Sequence, residues 1–137
     1  MSEPTPTDEI RIKALLEAWA AAVRRHDVPA ILSSHEPDLV MFDVPPPLQC
    51  KGLQAYADTW DLFFRYNPPG SAFDFQELDV IAGQDVAFAV AIMRCEPESS
   101  SHPGDRDGLL FRLTVGLRKV EGDWRIVHEH HSVPATD

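Results

Sequence analysis

The second half of the chain is a run of four strand-like segments, and this run restricts the fold more than any other feature of the sequence. Phe73 to Ala82 alternates apolar and polar side chains, and Gly83-Gln84-Asp85 then turns the chain. Val86 to Cys95 follows as a nearly continuous apolar strand. Glu96 to Asp107 is a polar loop rich in Pro, Ser and Gly. Leu109 to Val120 is a long strand, and Glu121-Gly122-Asp123 turns it into a last one, Trp124 to Val133. Strands joined by tight turns pair antiparallel, so these segments predict a meander.

The first half predicts helices. Ile12, Leu15, Leu16, Trp19, Ala22 and Val23 share one face of a helix from Asp8 to Arg25, with Thr7 as its cap and Asp8 and Glu9 at the positive end of its dipole. A short second helix, Val28 to Ser34, follows Asp27 and carries Pro29 in its first turn. Leu39 to Asp43 is a short strand. A third helix, Leu53 to Tyr66, sets Leu53, Tyr56, Trp60 and Phe63 or Phe64 on one face, and Asn67-Pro68-Pro69-Gly70 ends it. The order predicts an α+β fold: a curved antiparallel sheet, a conical half-barrel, packed against three N-terminal helices. A curved sheet closed by helices leaves a hollow suited to a ligand.

A chain of 137 residues is read as one domain, 1–137, with residues 1–7 as a flexible tail. Twelve Lys and Arg against 22 Asp and Glu give a net charge of −10, which argues against nucleic acid and anionic membranes as partners. The first residues lack the basic and apolar regions of a secretory leader, and no apolar run is long enough to span a bilayer. Cys50 and Cys95 have no CxxC spacing, so two free thiols in the cytoplasm are the simplest reading, with a single disulfide left open. Val86 to Met93 is apolar on both strand faces, which suits a homodimer through the sheet.

Two places carry chemistry. Asp43 ends the apolar run Leu39-Val40-Met41-Phe42 and precedes Val44-Pro45-Pro46-Pro47. A carboxylate placed there loses water and titrates closer to neutral pH, where it can move protons; the plainer reading is a turn or cap residue. The second place is His128-Glu129-His130-His131. On a strand, His128, His130 and Ser132 share one face, and Glu129 and His131 the other. A His-x-His pair can bind zinc but needs a third ligand, and with Asp43 as its one obvious source no metal is expected. Arg112 and Arg118 read as solvated edge charges. No nucleotide loop, nucleophile elbow, heme motif or flavin motif is present, so no cofactor is expected.

Four segments resemble the ketosteroid-isomerase-like or SnoaL-like group of the nuclear-transport-factor-two-like superfamily: Trp19 to Asp27, Asp38 to Asp43, Gly52 to Tyr56, and Arg118 to Ser132. The resemblance runs over roughly residues 8–133. It implies that Asp43 stands at the position of the isomerases' general base, with a proton moved between two carbons of an enone. The chain departs from that group at both oxyanion donors: Trp19 stands where the tyrosine would be, and Arg112-Leu-Thr114-Val-Gly116 carries no acid. Trp19, Tyr56, Thr114 and His128 or His130 could donate in their place. The implied catalytic set is Asp43, His128 and His130. The implied binding wall is Trp19, Phe42, Leu48, Tyr56, Trp60, Phe64, Phe88, Met93 and Thr114. The expected function is cofactor-independent acid–base catalysis, an isomerase or a cyclase or dehydratase, on a small apolar carbonyl or polycyclic substrate. The alternative is a non-catalytic ligand-binding or dimerisation module of the same fold.

Overall fold

The computed structural model describes residues 7–96 and 108–135. The expected tail over residues 1–7 and the expected loop from Glu96 to Asp107 lie, apart from Thr7 and Glu96, outside the described residues.

Helix α1 spans Asp8–Arg24 and starts where Thr7 accepts a hydrogen bond from the Ile10 backbone N–H. Its buried face is Ile12, Leu16, Trp19, Ala20, Ala22 and Val23, the stripe expected of a 3.6-residue period. Helix α2, Val28–Leu32, is capped by Asp27, which accepts from the Ala30 N–H. Helix α3 spans Leu53–Tyr66 and buries Tyr56 and Trp60.

The strands are β1 (His35–Phe42), β2 (Cys50–Lys51), β3 (Phe73–Ala82), β4 (Val86–Cys95), β5 (Leu109–Val120) and β6 (Asp123–Ser132). They form one open six-stranded sheet in the order β2-β1-β6-β5-β4-β3. The four-strand meander is as expected, and its inner face packs against the helices, with α1 against β3 and α3 against β1 and β2. The fold is therefore α+β.

Two features were not expected. The short strand β2 joins β1 antiparallel, and β1 itself runs parallel to β6, so the sheet is mixed. The second feature is a bulge in β6. Ile126 pairs with Leu117, but His128 pairs with Gly116, so Val127 is an extra residue on its strand. A bulge reverses the in–out alternation. Trp124 and Ile126 point inward before it, and Glu129 and His131 point inward after it.

Strand β4 turns Ala87, Ala89, Ala91, Met93 and Cys95 inward, and β5 turns Phe111, Leu113, Val115 and Leu117 inward. Together with the buried faces of α1 and α3 they make one core. Among the described residues no helix is long and apolar enough to cross a membrane, and Cys50 and Cys95 are both free and buried.

Candidate functional site

The core is not filled at one end. Between the C-terminal half of α3 and the neighbouring strand ends lies an open cavity of about 620 Å³, within the size range of small-molecule sites. Trp60, Phe63, Phe73 and Phe111 form aromatic walls, and Val44, Leu62, Tyr66, Leu109 and Leu110 form an exposed apolar rim. Asp43, Thr59, Asn67, Cys95 and His131 supply the polar atoms of the lining.

The register of β1 and β6 brings the two titratable groups together. Met41 pairs with Glu129 and Phe42 with His130; Asp43 follows directly on β1 and His131 on this last pair, and the charge of Asp43 reaches His131. Both side chains line the cavity. Asp43 Oδ1 accepts the backbone N–H of Val44 at 2.8 Å.

Behind this wall lies a buried polar network. Glu129, 1% exposed, accepts the Nε2–H of His131 at 2.8 Å on one oxygen. Its other oxygen accepts the Tyr56 hydroxyl at 2.7 Å and the Nε2–H of His35. Tyr56 in turn accepts the Trp19 indole N–H at 3.0 Å. The Trp60 indole N–H is buried without a hydrogen bond of good geometry, although it lies near enough to the Tyr56 oxygen to oppose slightly the rise in that group's pKa.

Burial alone would push the Glu129 pKa up, but the hydrogen bonds and charges of His131 and His35 reverse this and hold it at about 2. Burial alone would likewise push His131 down. The hydrogen bond and charge of Glu129, and then the charge of Asp43, raise it above the usual imidazole value. Burial and the neighbouring Glu129 carboxylate push Tyr56 well above the usual phenol range. In the wall, His131 Nε2 is thus tied to Glu129, which leaves Nδ1 as the nitrogen outside that bond. Burial pushes the Cys95 thiol up to about 11, so it is no thiolate nucleophile near neutral pH.

Of the residues expected at the site, Asp43 and Trp60 line the cavity. Trp19, Tyr56 and Met93 are fully buried behind or beside it. The remaining placements correct the sequence reading. His128 and His130 lie on the opposite, outer face of β6 because of the bulge, and Thr114 and Phe42 lie on that same outer face. Phe88 also points outward, 45% exposed, because the inner face of β4 is taken by alanines. Leu48, beyond the proline turn, is 94% exposed. Phe64 stacks on His26 with ring centres 3.8 Å apart and does not line the cavity.

Sequence reasoning missed Glu129, His131, Phe63, Phe73 and Phe111 as wall and network residues. The signal available for Glu129 and His131 was strand parity, and parity fails across an unseen bulge. Among the described residues no group of three or more His, Cys, Asp or Glu could hold a metal ion. Among the described residues that line the cavity there is no Lys or Arg.

The profile of the SnoaL-like domain matches residues 12–136. Among solved structures, an NTF2-like protein of unknown function from Pseudomonas putida KT2440 is 34% identical, over 93% of this chain and 87% of its own, with a TM-score of 0.81. A ketosteroid isomerase-like protein from Erwinia carotovora atroseptica SCRI1043 is 19% identical, over 96% of this chain and 100% of its own, with a TM-score of 0.71. A candidate dehydratase of the NTF2-like family from Streptomyces avermitilis is 16% identical, over 93% of this chain and 97% of its own, with a TM-score of 0.76. The last two are alike in fold alone. No curated protein matches the chain. With a family profile covering nearly all of its length and a relative at 34% identity, the chain belongs to the SnoaL-like family, with the NTF2-like fold.

Proposed function

We propose that the cavity is a site of cofactor-independent acid–base chemistry on a small, largely apolar carbonyl or polycyclic molecule, with Asp43 and His131 moving the protons. The observation that carries this reading is the pair itself: a carboxylate just past the end of β1 and a buried imidazole on β6, on the wall of one apolar cavity. Asp43 takes a proton from the carbon beside a carbonyl. The His131 imidazolium, held by Glu129, donates its Nδ1–H to the oxygen on which charge develops. Returning the proton to a different carbon gives an isomer. Expelling a β-hydroxyl, with His131 protonating the departing oxygen, gives dehydration. A donor of this kind in a water-poor site lowers a barrier by roughly 3–4 kcal/mol. His131 thus takes the place expected of His128 and His130. The fold neighbours described as ketosteroid isomerase-like and as a candidate dehydratase support the reaction class.

The test is turnover of a panel of steroid enones and β-hydroxy aryl ketones by the wild type, Asp43→Asn and His131→Gln. Asp43→Asn is expected to abolish turnover while leaving the circular dichroism spectrum unchanged. A variant that keeps the full rate overturns the assignment of the base. The second reading, ligand binding without catalysis, is favoured by the aromatic walls and the protonated Cys95 thiol, which offer contact rather than chemistry. It predicts saturable quenching of Trp60 fluorescence with no product.

The same reading places the protein in the cytoplasm as a homodimer paired through the sheet. Free Cys50 and Cys95 support the compartment. Ile81, Val86, Phe88 and Val90, all more than 40% exposed, support the pairing. Sedimentation should report a dimer that Phe88→Glu converts to monomer. A monomeric wild type refutes the pairing.

A further inference from the structure

The acid–base reading uses His131 and, through it, Glu129, and leaves one buried titratable group without a role: His35, the first residue of β1. It is 1% exposed and does not line the cavity. Its Nε2 meets Oε2 of Glu129, and an ionised carboxylate only accepts, so Nε2 carries a proton. Its Nδ1 is sealed from solvent with no partner. Among the described residues the bond to Glu129 is therefore the ring's sole hydrogen bond. His35 is held in place from two sides. Its ring lies against the Tyr56 ring, with centres 4.5 Å apart, and its backbone carbonyl accepts from Arg125 Nη2 at 2.7 Å.

Glu129 thus stands between two imidazoles. Its Oε1 accepts from His131, which lines the cavity, at 2.8 Å. Its Oε2 accepts from His35 and from the Tyr56 hydroxyl, neither of which lines the cavity. Hydrogen bonds to one oxygen draw charge from the whole carboxylate, so each donor on Oε2 weakens the pull of Oε1 on the His131 proton. Two other titratable groups share the cavity wall with His131. The charge of Asp43, past the end of β1, strengthens its hold on the proton, and the Cys95 thiol of β4 is uncharged near neutral pH. His35 on β1 and Tyr56 on α3 are the groups that moderate that hold.

We propose that His35 is a positioning residue: by holding Oε2 it fixes the Glu129 carboxylate and loosens the grip of Oε1 on the His131 proton. Its part in catalysis rests on the acid–base reading, in which His131 must release that proton to substrate. An acid that holds its proton too firmly transfers it slowly.

The experiment is 15N NMR of the full chain with labelled histidine, on the wild type, His35→Phe and His35→Gln. In the wild type, His35 Nε2 should carry a proton at pH 8. His35→Phe keeps a ring but removes the donor, and should move the His131 titration upward by at least about half a pH unit. His35→Gln, whose amide N–H reaches toward the same oxygen, should return it to within about 0.2 unit of the wild type. A histidine with a packing role alone would leave the titration unmoved in both variants. A bare His35 Nε2 in the wild type, an unmoved or lowered His131 titration in His35→Phe, or no return in His35→Gln overturns the proposal. The wild-type spectrum decides the matter where a variant fails to fold. Turnover enters none of these readouts, so this proposal and the acid–base reading fail separately.

Discussion

Replacing Glu129 by Gln tests the buried wall of the cavity directly. The carboxylate is 1% exposed and accepts from His131, Tyr56 and His35. Its pKa is held at about 2 against an ordinary 4.5, which corresponds to about 3 kcal/mol of preference for the ionised form in the folded state. The amide removes that charge and turns one oxygen into an NH2 group, which meets an N–H or O–H donor head-on. Removing one member of a buried, hydrogen-bonded ion pair costs about 3–5 kcal/mol, and the same range is expected here. It should be read as the loss in unfolding free energy in urea at pH 6, followed by tryptophan fluorescence. A second readout is independent of stability. With the carboxylate gone, the burial of His131 is opposed only by the charge of Asp43, so the His131 pKa should fall from its raised value. The ring proton signals of His131 in an NMR titration report this. A loss below about 1 kcal/mol, or an unmoved His131 titration, would refute the claim that Glu129 raises the pKa of the imidazole.

Three further outcomes follow from the same wall. Glu129, whose pKa is lowered, stabilises the fold above the unfolded value of 4.5 and loses this as pH falls toward about 2, whereas His131, whose pKa is raised, stabilises it below the unfolded value of 6.5 and loses this as pH rises through the folded value. The urea midpoint should therefore be highest between about pH 4.5 and 6.5, and a midpoint still climbing from pH 7 to 9 would contradict the assignment. Tyr56→Phe removes a donor to Glu129 and leaves the buried Trp19 N–H without its acceptor. It should cost about 1–3 kcal/mol in the same assay, and a neutral result would mean that the hydroxyl is not part of the network. Deleting Val127 removes the extra residue and restores plain alternation, which keeps Trp124, Ile126, Glu129 and His131 all on the inward face. The variant should keep cooperative thermal unfolding by circular dichroism, and a variant that fails to fold would show that Val127 is more than an insertion in the ladder.

The elements were largely legible because each obeys a local rule. The α3 boundaries follow from a glycine before Leu53, an apolar stripe and a proline stop, β3 from alternation ahead of a turn, and β4 and β5 from largely apolar runs. Asp43 and Trp60 were legible as cavity residues because one ends an apolar run and the other sits on the buried stripe of a helix. The two-residue strand β2 and the parallel β1–β6 pairing were not, since both depend on partners distant in sequence. Phe88 was misplaced for a packing reason. On a strand apolar on both faces, size does not say which face is inward, and here the helix layer sits close enough that alanines are buried and the phenylalanine is left outside.

The histidine run shows the deeper limit. Period-two reasoning separates His128 and His130 from Glu129 and His131 correctly, yet it carries no information about which set is inward. Unbroken alternation from the buried Trp124 and Ile126 assigns the wrong set, because one extra residue, Val127, intervenes. Gly116, opposite His128, would bring an added Cβ to 3.4 Å from the His128 Cβ and 3.9 Å from Val127 Cγ2. These are ordinary van der Waals distances, so Gly116 by itself does not mark the bulge, which becomes readable only once β5 and β6 are set in register. The same displacement carries an imidazole and a carboxylate into the wall beside Asp43 and leaves two imidazoles outside. One inserted residue thereby decides which two of these four side chains face the cavity side of the sheet and which two face outward.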